Sequence, residues 1–168
     1  MTIESLNVRV SLAERSYDIA ITSGGLSTVE QFIGQCCNYS HAVVISDTNV
    51  MPLYGDALAS RLRNSGQRID TLTVPAGEGS KSLSQLNALW ESLLAAPTDR
   101  KSVVIAVGGG VVGDLAGFAA ASFARGLQFI QIPTTLLAQV DSSVGGKLES
   151  TFPMPRIWLG RFGSPPLS

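Results

Sequence analysis

The chain has 168 residues, of which 45% are hydrophobic and 15% charged, with a net charge of −1. That balance fits one globular domain with a real core and excludes an intrinsically disordered chain. No basic block suggests a nucleic-acid surface, no apolar run is long enough to span a bilayer, and no charged-then-apolar leader opens the chain, so a soluble cytoplasmic protein is expected. Cys36 and Cys37 are adjacent and cannot readily bridge each other, which points to reduced thiols near a helix end. His41 is the one histidine, at the start of a probable strand, and reads as structural. No metal ligand is assigned, because a metal would need side chains that the sequence does not supply.

In chain order, residues 7–12 and 17–22 alternate apolar and polar and predict a hairpin or a pair of edge strands. Residues 27–33 predict a short helix, and residues 41–47 a buried strand ending in Asp47. Residues 53–62 predict a helix closed by Asn64, Ser65 and Gly66, and residues 68–74 another strand. Leu83, Leu86, Leu89, Trp90 and Leu93 fall at three-to-four spacing on one face of an amphipathic helix, with Ser82 and Gln85 as its capping box. Then come a β-branched strand at 103–107, a glycine turn, a helix to about Ala124, a strand at 127–132, and Pro133-Thr134-Thr135 leading into 136–140. Strands alternating with helices predict an α/β fold, a mostly parallel sheet with helices on both faces. Ligands of such sheets bind at the carboxyl ends of the strands. Asp47, the loop at 77–81, the glycine run and Thr134-Thr135 should therefore line one crevice.

The glycine run Gly108-Gly109-Gly110-Val111-Val112-Gly113-Asp114 carries the most chemistry. Glycines let a backbone approach a ligand closely, and a helix start offers unpaired N–H groups to an anion. Gly108, Gly110 and Gly113 satisfy G-x-G-x-x-G between a strand and a helix, but no acid follows at the next strand end as in the ordinary dinucleotide fingerprint. A glycine turn that serves only helix–sheet packing is the alternative. Asp114, read as lying in the helix's first turn, suits the dipole there and either binds a hydroxyl or amide or caps the helix. Asp47, ahead of Asn49, either holds ribose hydroxyls or makes an Asx-turn. Glu78 and Lys81 either serve a ligand or form a solvated ion pair. Thr134 and Thr135 either donate to a ligand or cap the next helix. Lys147 and Arg125 are cations that can neutralise a phosphate or simply be solvated. The run 141–147 is not a P-loop, since Asp141 occupies the leading glycine position and Leu148 follows the lysine.

Pro75 to Lys81, Gly108 to Asp114, Arg125-Gly126 and the long block from Pro133 to Lys147 together resemble the 3-dehydroquinate synthase family over residues 1–147, roughly its NAD-binding, Rossmann-like domain. The resemblance implies NAD as a cofactor that takes up and returns one hydride, a sugar-phosphate substrate, a divalent metal (zinc or cobalt) and a homodimer in the full-length family. It further implies that Asp47, Asn49, Gly77, Glu78 and Lys81 hold the adenosine side. Gly109, Gly110, Val111, Val112, Gly113 and Asp114 would hold the pyrophosphate and nicotinamide ribose. Thr134, Thr135, Asp141 and Lys147 would line the cofactor and substrate cleft, with Arg125, Asp141 and Lys147 as the catalytic set and Arg125 reaching the substrate phosphate across a dimer interface. Other sugar-phosphate cyclases share this half, and a binding-only remnant is the non-enzyme alternative.

After Lys147 the family pattern is expected to stop. The family continues with a stretch like TGVNLPHAKNMVGAFWQP. Written in one choice of codons and read one base late, that stretch becomes the sequence from Leu148 to Pro165. A frameshift after the Lys147 codon follows as an expectation, with residues 148–168 an aberrant, disordered tail. The family's metal ligands and its C-terminal helical domain would then be absent, and the fragment alone inactive.

Overall fold

The computed structural model describes residues 5–11, 16–22, 26–143 and 158–160. Strands β1 (Ser5–Val10) and β2 (Tyr17–Thr22) form the expected antiparallel hairpin, with Val8 opposite Ile19 and Val10 opposite Tyr17. This hairpin builds a sheet separate from the main one. Helix α1 (Leu26–Cys36) leads into β3 (Ala42–Asp47), and α2 (Asp56–Asn64) into β4 (Ile69–Val74). Helix α3 (Leu83–Ala95) precedes β5 (Val103–Gly108), α4 (Gly110–Ser122) precedes β6 (Gln128–Pro133), and α5 (Leu136–Ser143) follows.

The main sheet has the order β4-β3-β5-β6, and every pair in it is parallel. Because successive side chains of a strand face opposite ways, each strand feeds two cores. Val43, Ile45, Val104, Ala106 and Phe129 pack with α3 and α4. Val44, Ile105, Val107, Ile130 and Ile132 pack with α1 and α2. All six residues of β5 are buried, which is why its sequence is continuously apolar rather than alternating. Burying each of its large side chains contributes about 1.5–3 kcal/mol.

Two local expectations are corrected. The helix expected at 53–62 starts as a π-helical turn, Met51–Gly55, before α2. Pro52 sits where a helix start needs no N–H. Gly55 admits the Met51 sulfur, which would stand 2.5 Å from a Cβ there. Leu83, assigned to the buried face of α3, is 83% exposed, whereas Leu86, Leu89 and Leu93 are buried. It is the first residue of α3, beside the carboxyl ends of the strands, and the helix has not yet run back under the sheet.

Most of the segment 148–168 lies outside the described residues, and so does Lys147. The exception is β7 (Trp158–Gly160), which pairs in parallel with β2. The open backbone edge of β2 offers hydrogen-bonding groups to such an extended segment.

Candidate functional site

The chain runs from β3 outward to β4, then crosses back over β3 to β5 and outward to β6. The strand order therefore reverses between β3 and β5, and a crevice opens beyond their carboxyl ends. Ser46 and Val107 face each other there, and the buried Ser46 hydroxyl donates to the Val107 carbonyl at 2.6 Å. Asp47 and Gly108 are the next residues on each strand. The structure thus brings Asp47, the 77–81 loop, the glycine run and Thr134-Thr135 to one end of the sheet.

The glycines divide by what surrounds them. A Cβ on Gly108 would stand 2.7 Å from Val112 Cγ2, and one on Gly113 would stand 2.2 Å from Gln131 Nε2. These two let α4 lie close on the sheet. Gly110 is different, since among the described residues nothing beyond its chain neighbours and the helix's own backbone lies within 4 Å of the Cβ position. Gly109 caps α4 with extended backbone and no side-chain hydrogen bond. Gly113 N–H donates to the Gly109 carbonyl at 3.1 Å, so the helix ladder starts there and the amides of Gly110, Val111 and Val112 precede it. Open space in front of unpaired amides is a cradle that suits an anion.

Around the turn, several side chains also have local roles. Asp47 Oδ1 accepts from the N–H groups of Asn49 at 2.8 Å and Val50 at 2.9 Å, an Asx-turn that holds the crevice wall. Gly77 has φ of 102°, a conformation that favours glycine. The buried Ser80 hydroxyl donates to the Pro75 carbonyl and pins that loop from inside. Thr134 N–H donates to the Gly108 carbonyl at 3.0 Å, and Thr135 Oγ1 accepts from Ala138 N–H at 3.1 Å as the cap of α5. Asp141 lies on α5, exposed.

Asp114 requires a correction. It is the fifth residue of α4, beyond the first turn, so the helix dipole does not explain it. Its partner is Lys81, whose Nζ lies 3.1 Å from Asp114 Oδ2 and 3.3 Å from Glu78 Oε2. Sequence spacing found the Glu78–Lys81 pair but not this link, because residues 81 and 114 meet only through the fold. The hydrogen bond to Asp114, ahead of the bond to Glu78, holds the Lys81 ammonium above its ordinary pKa.

Arg125 lies elsewhere. Helix α4 carries the chain about 20 Å from the glycine turn to the amino end of β6. Arg125, exposed, follows Ala124 in a turn where both have positive φ, 73° and 48°. His41 is buried, and its Nε2 lies 2.9 Å from Asp70 Oδ2. Among the described residues no three His, Cys, Asp or Glu side chains gather as a metal ion would need. No helix among the described residues is long and apolar enough to cross a membrane.

A family model for "3-dehydroquinate synthase N-terminal" matches residues 71–167. The likeness therefore runs past Lys147, where it was expected to end. The 3-dehydroquinate synthase of Rhodopirellula baltica is 46% identical over 174 residues, covering 98% of this chain and 46% of that protein. That of Citrifermentans bemidjiense is 45% identical over 158 residues, covering 94% of this chain and 44% of that protein. A crystal structure of 2-deoxy-scyllo-inosose synthase complexed with carbaglucose-6-phosphate, NAD+ and Co2+ superposes with a TM-score of 0.77 at 28% identity, covering 92% of this chain and 45% of that one. The chain spans about half the length of the curated relatives it matches. With a matching family model over more than half its residues and the same parallel α/β architecture, the chain belongs to the 3-dehydroquinate synthase family, in its N-terminal part.

Proposed function

We propose that this chain binds NAD+ in the crevice between β3 and β5, as the nucleotide-binding half of a 3-dehydroquinate synthase. The reading is carried by one observation, the open Gly110 cradle before an uncapped α4 at the point where strand order reverses. The amides of Gly110, Val111 and Val112 hold the pyrophosphate and Gly109 keeps the approach close, while Gly113 lets α4 lie on the sheet behind them. Asp47 and Asn49, with the loop from Gly77, hold the adenosine side. As the family resemblance implies, Asp114, Thr134 and Thr135 serve the nicotinamide side, and Asp141 and Lys147 the substrate. Bound NAD+ supplies a hydride acceptor that is restored within one turnover, so it acts as a catalyst. In the whole protein the reaction converts a heptulosonate phosphate to 3-dehydroquinate and phosphate. Arg125, at the far end of the sheet, meets that phosphate only if a second subunit brings it there.

The higher identity to 3-dehydroquinate synthases favours this substrate over that of the inosose synthase. The frameshift after the Lys147 codon stands on the codon comparison. It is compatible with a family match through residue 167, because Pro153, Gly160, Phe162 and Pro165 sit on runs of one base in that comparison and survive the shift. Reading the locus downstream of that codon tests it, and an intact frame removes it. The nucleotide reading is tested by titrating the folded chain with NAD+ in a calorimeter. Saturable binding is expected, and no heat on folded material would overturn it.

A further inference from the structure

The hairpin and the main sheet serve one core without bonding to each other. Ala20 of β2 and Ile130 and Ile132 of β6 are buried in a single cluster with Val29 and Ile33 of α1. Yet among the described residues β6 bonds only to β5 within the main sheet, and β2 belongs to the separate sheet. A strand edge carries a row of N–H and C=O groups that need partners. Two such edges on either side of one gap make a slot for a single extended segment. Strand β7 lies there. Trp158, Leu159 and Gly160 pair in parallel with Ala20, Ile21 and Thr22. Cα atoms of β7 also come within 8 Å of Cα atoms of β6, as neighbouring strands about 4.8 Å apart do.

We propose that the edges of β2 and β6 form a strand-accepting slot and that this chain's own residues 158–160 are its occupant. The segment is a strap. It makes the hairpin and the main sheet one continuous layer, in the order β1-β2-β7-β6-β5-β3-β4. Strands β3 to β6 pair with one another without it, so its loss frees the hairpin and leaves the main sheet in place.

The test is nuclear magnetic resonance on the full 168-residue chain. In the native chain, backbone Overhauser contacts from residues 158–160 to both β2 and β6 are expected. Contacts to β2 alone, or to neither, would overturn the proposal. Mixing isotope-labelled with unlabelled copies identifies the donor of the strand, and contacts arising only between copies would assign the slot to a second chain instead. Successive N–H groups of a strand point to opposite edges, so the double variant Trp158→Pro with Leu159→Pro removes a donor on each side. It should speed hydrogen exchange of the β2 amides that face away from β1 by about tenfold or more, and leave those of β3 and β5 within about twofold. Leu159→Val keeps the N–H and suits a strand, so β2 should exchange as in the native chain. Unchanged β2 protection in the proline variant would sink the strap. Should the prolines unfold the whole chain, the Overhauser contacts of the native protein decide by themselves.

Discussion

The two ends of the main sheet treat polar groups differently. At the amino end several side chains pair with one another, although the buried His41 Nδ1 and Thr98 Oγ1 have no partner among the described residues. Asp99 accepts from the Ser40 hydroxyl at 2.7 Å, from Lys101 N–H at 2.8 Å and from the Ser102 hydroxyl, while Ser102 Oγ accepts from Asp99 N–H at 2.9 Å. His41 and Asp70 pair close by. At the carboxyl end the first amides of α4 precede the helix ladder, and the Cβ position of Gly110 beside them is open among the described residues. Polar side chains find partners at both ends, and the difference lies in the backbone. What separates them is the chain path, since every loop at the carboxyl end leads from a strand into a helix start, where N–H groups are in surplus.

The contrast can be broken or sharpened by substitution. Gly108→Ala should cost about 1–3 kcal/mol, because its Cβ meets Val112, a β-branched side chain in a helix with little freedom to move. A denaturant midpoint unchanged in this variant would show that the turn is looser than described. Gly110→Glu should leave stability within about 0.5 kcal/mol, since the position is open. It should nevertheless weaken NAD+ binding by about tenfold or more, by placing a carboxylate against the anion. Ser102→Ala, at the closed end, should lower stability by about 1 kcal/mol and leave NAD+ affinity untouched.

The smallest effect is one of pH. Asp99 has a carboxyl held below its ordinary pKa, first by the Ser40 hydroxyl and then by Lys101 N–H and Ser102. Its folded pKa lies below the unfolded value of about 3.9, so its contribution is complete above that value and is lost as pH falls through the folded one. Asp99→Asn should therefore flatten the acid limb of the stability curve, and an unchanged limb would show that the network contributes nothing.

Much of this was legible before any fold. The capping Ser82, the strands β3 to β6 and the glycine turn between β5 and α4 all follow from local rules, because periodicity and unpaired helix termini are properties of short segments. The gathering of the site at one end also followed, since parallel strands joined by helices leave no other arrangement for their carboxyl-terminal loops. Asp47 and Thr135 were left open between two roles, and the fold shows that each has a local backbone role.

What composition and spacing established is a strand, a glycine turn and a helix in a parallel α/β sheet, because hydrophobic period and backbone freedom are written residue by residue. What only the tertiary structure decided is which glycine is a cradle and which is packing, and that Lys81 meets Asp114. Both depend on what lies across a gap in space, Gln131 for Gly113, Val112 for Gly108 and, among the described residues, nothing for Gly110. Proximity between residues far apart in the chain exists only once the sheet order has been set.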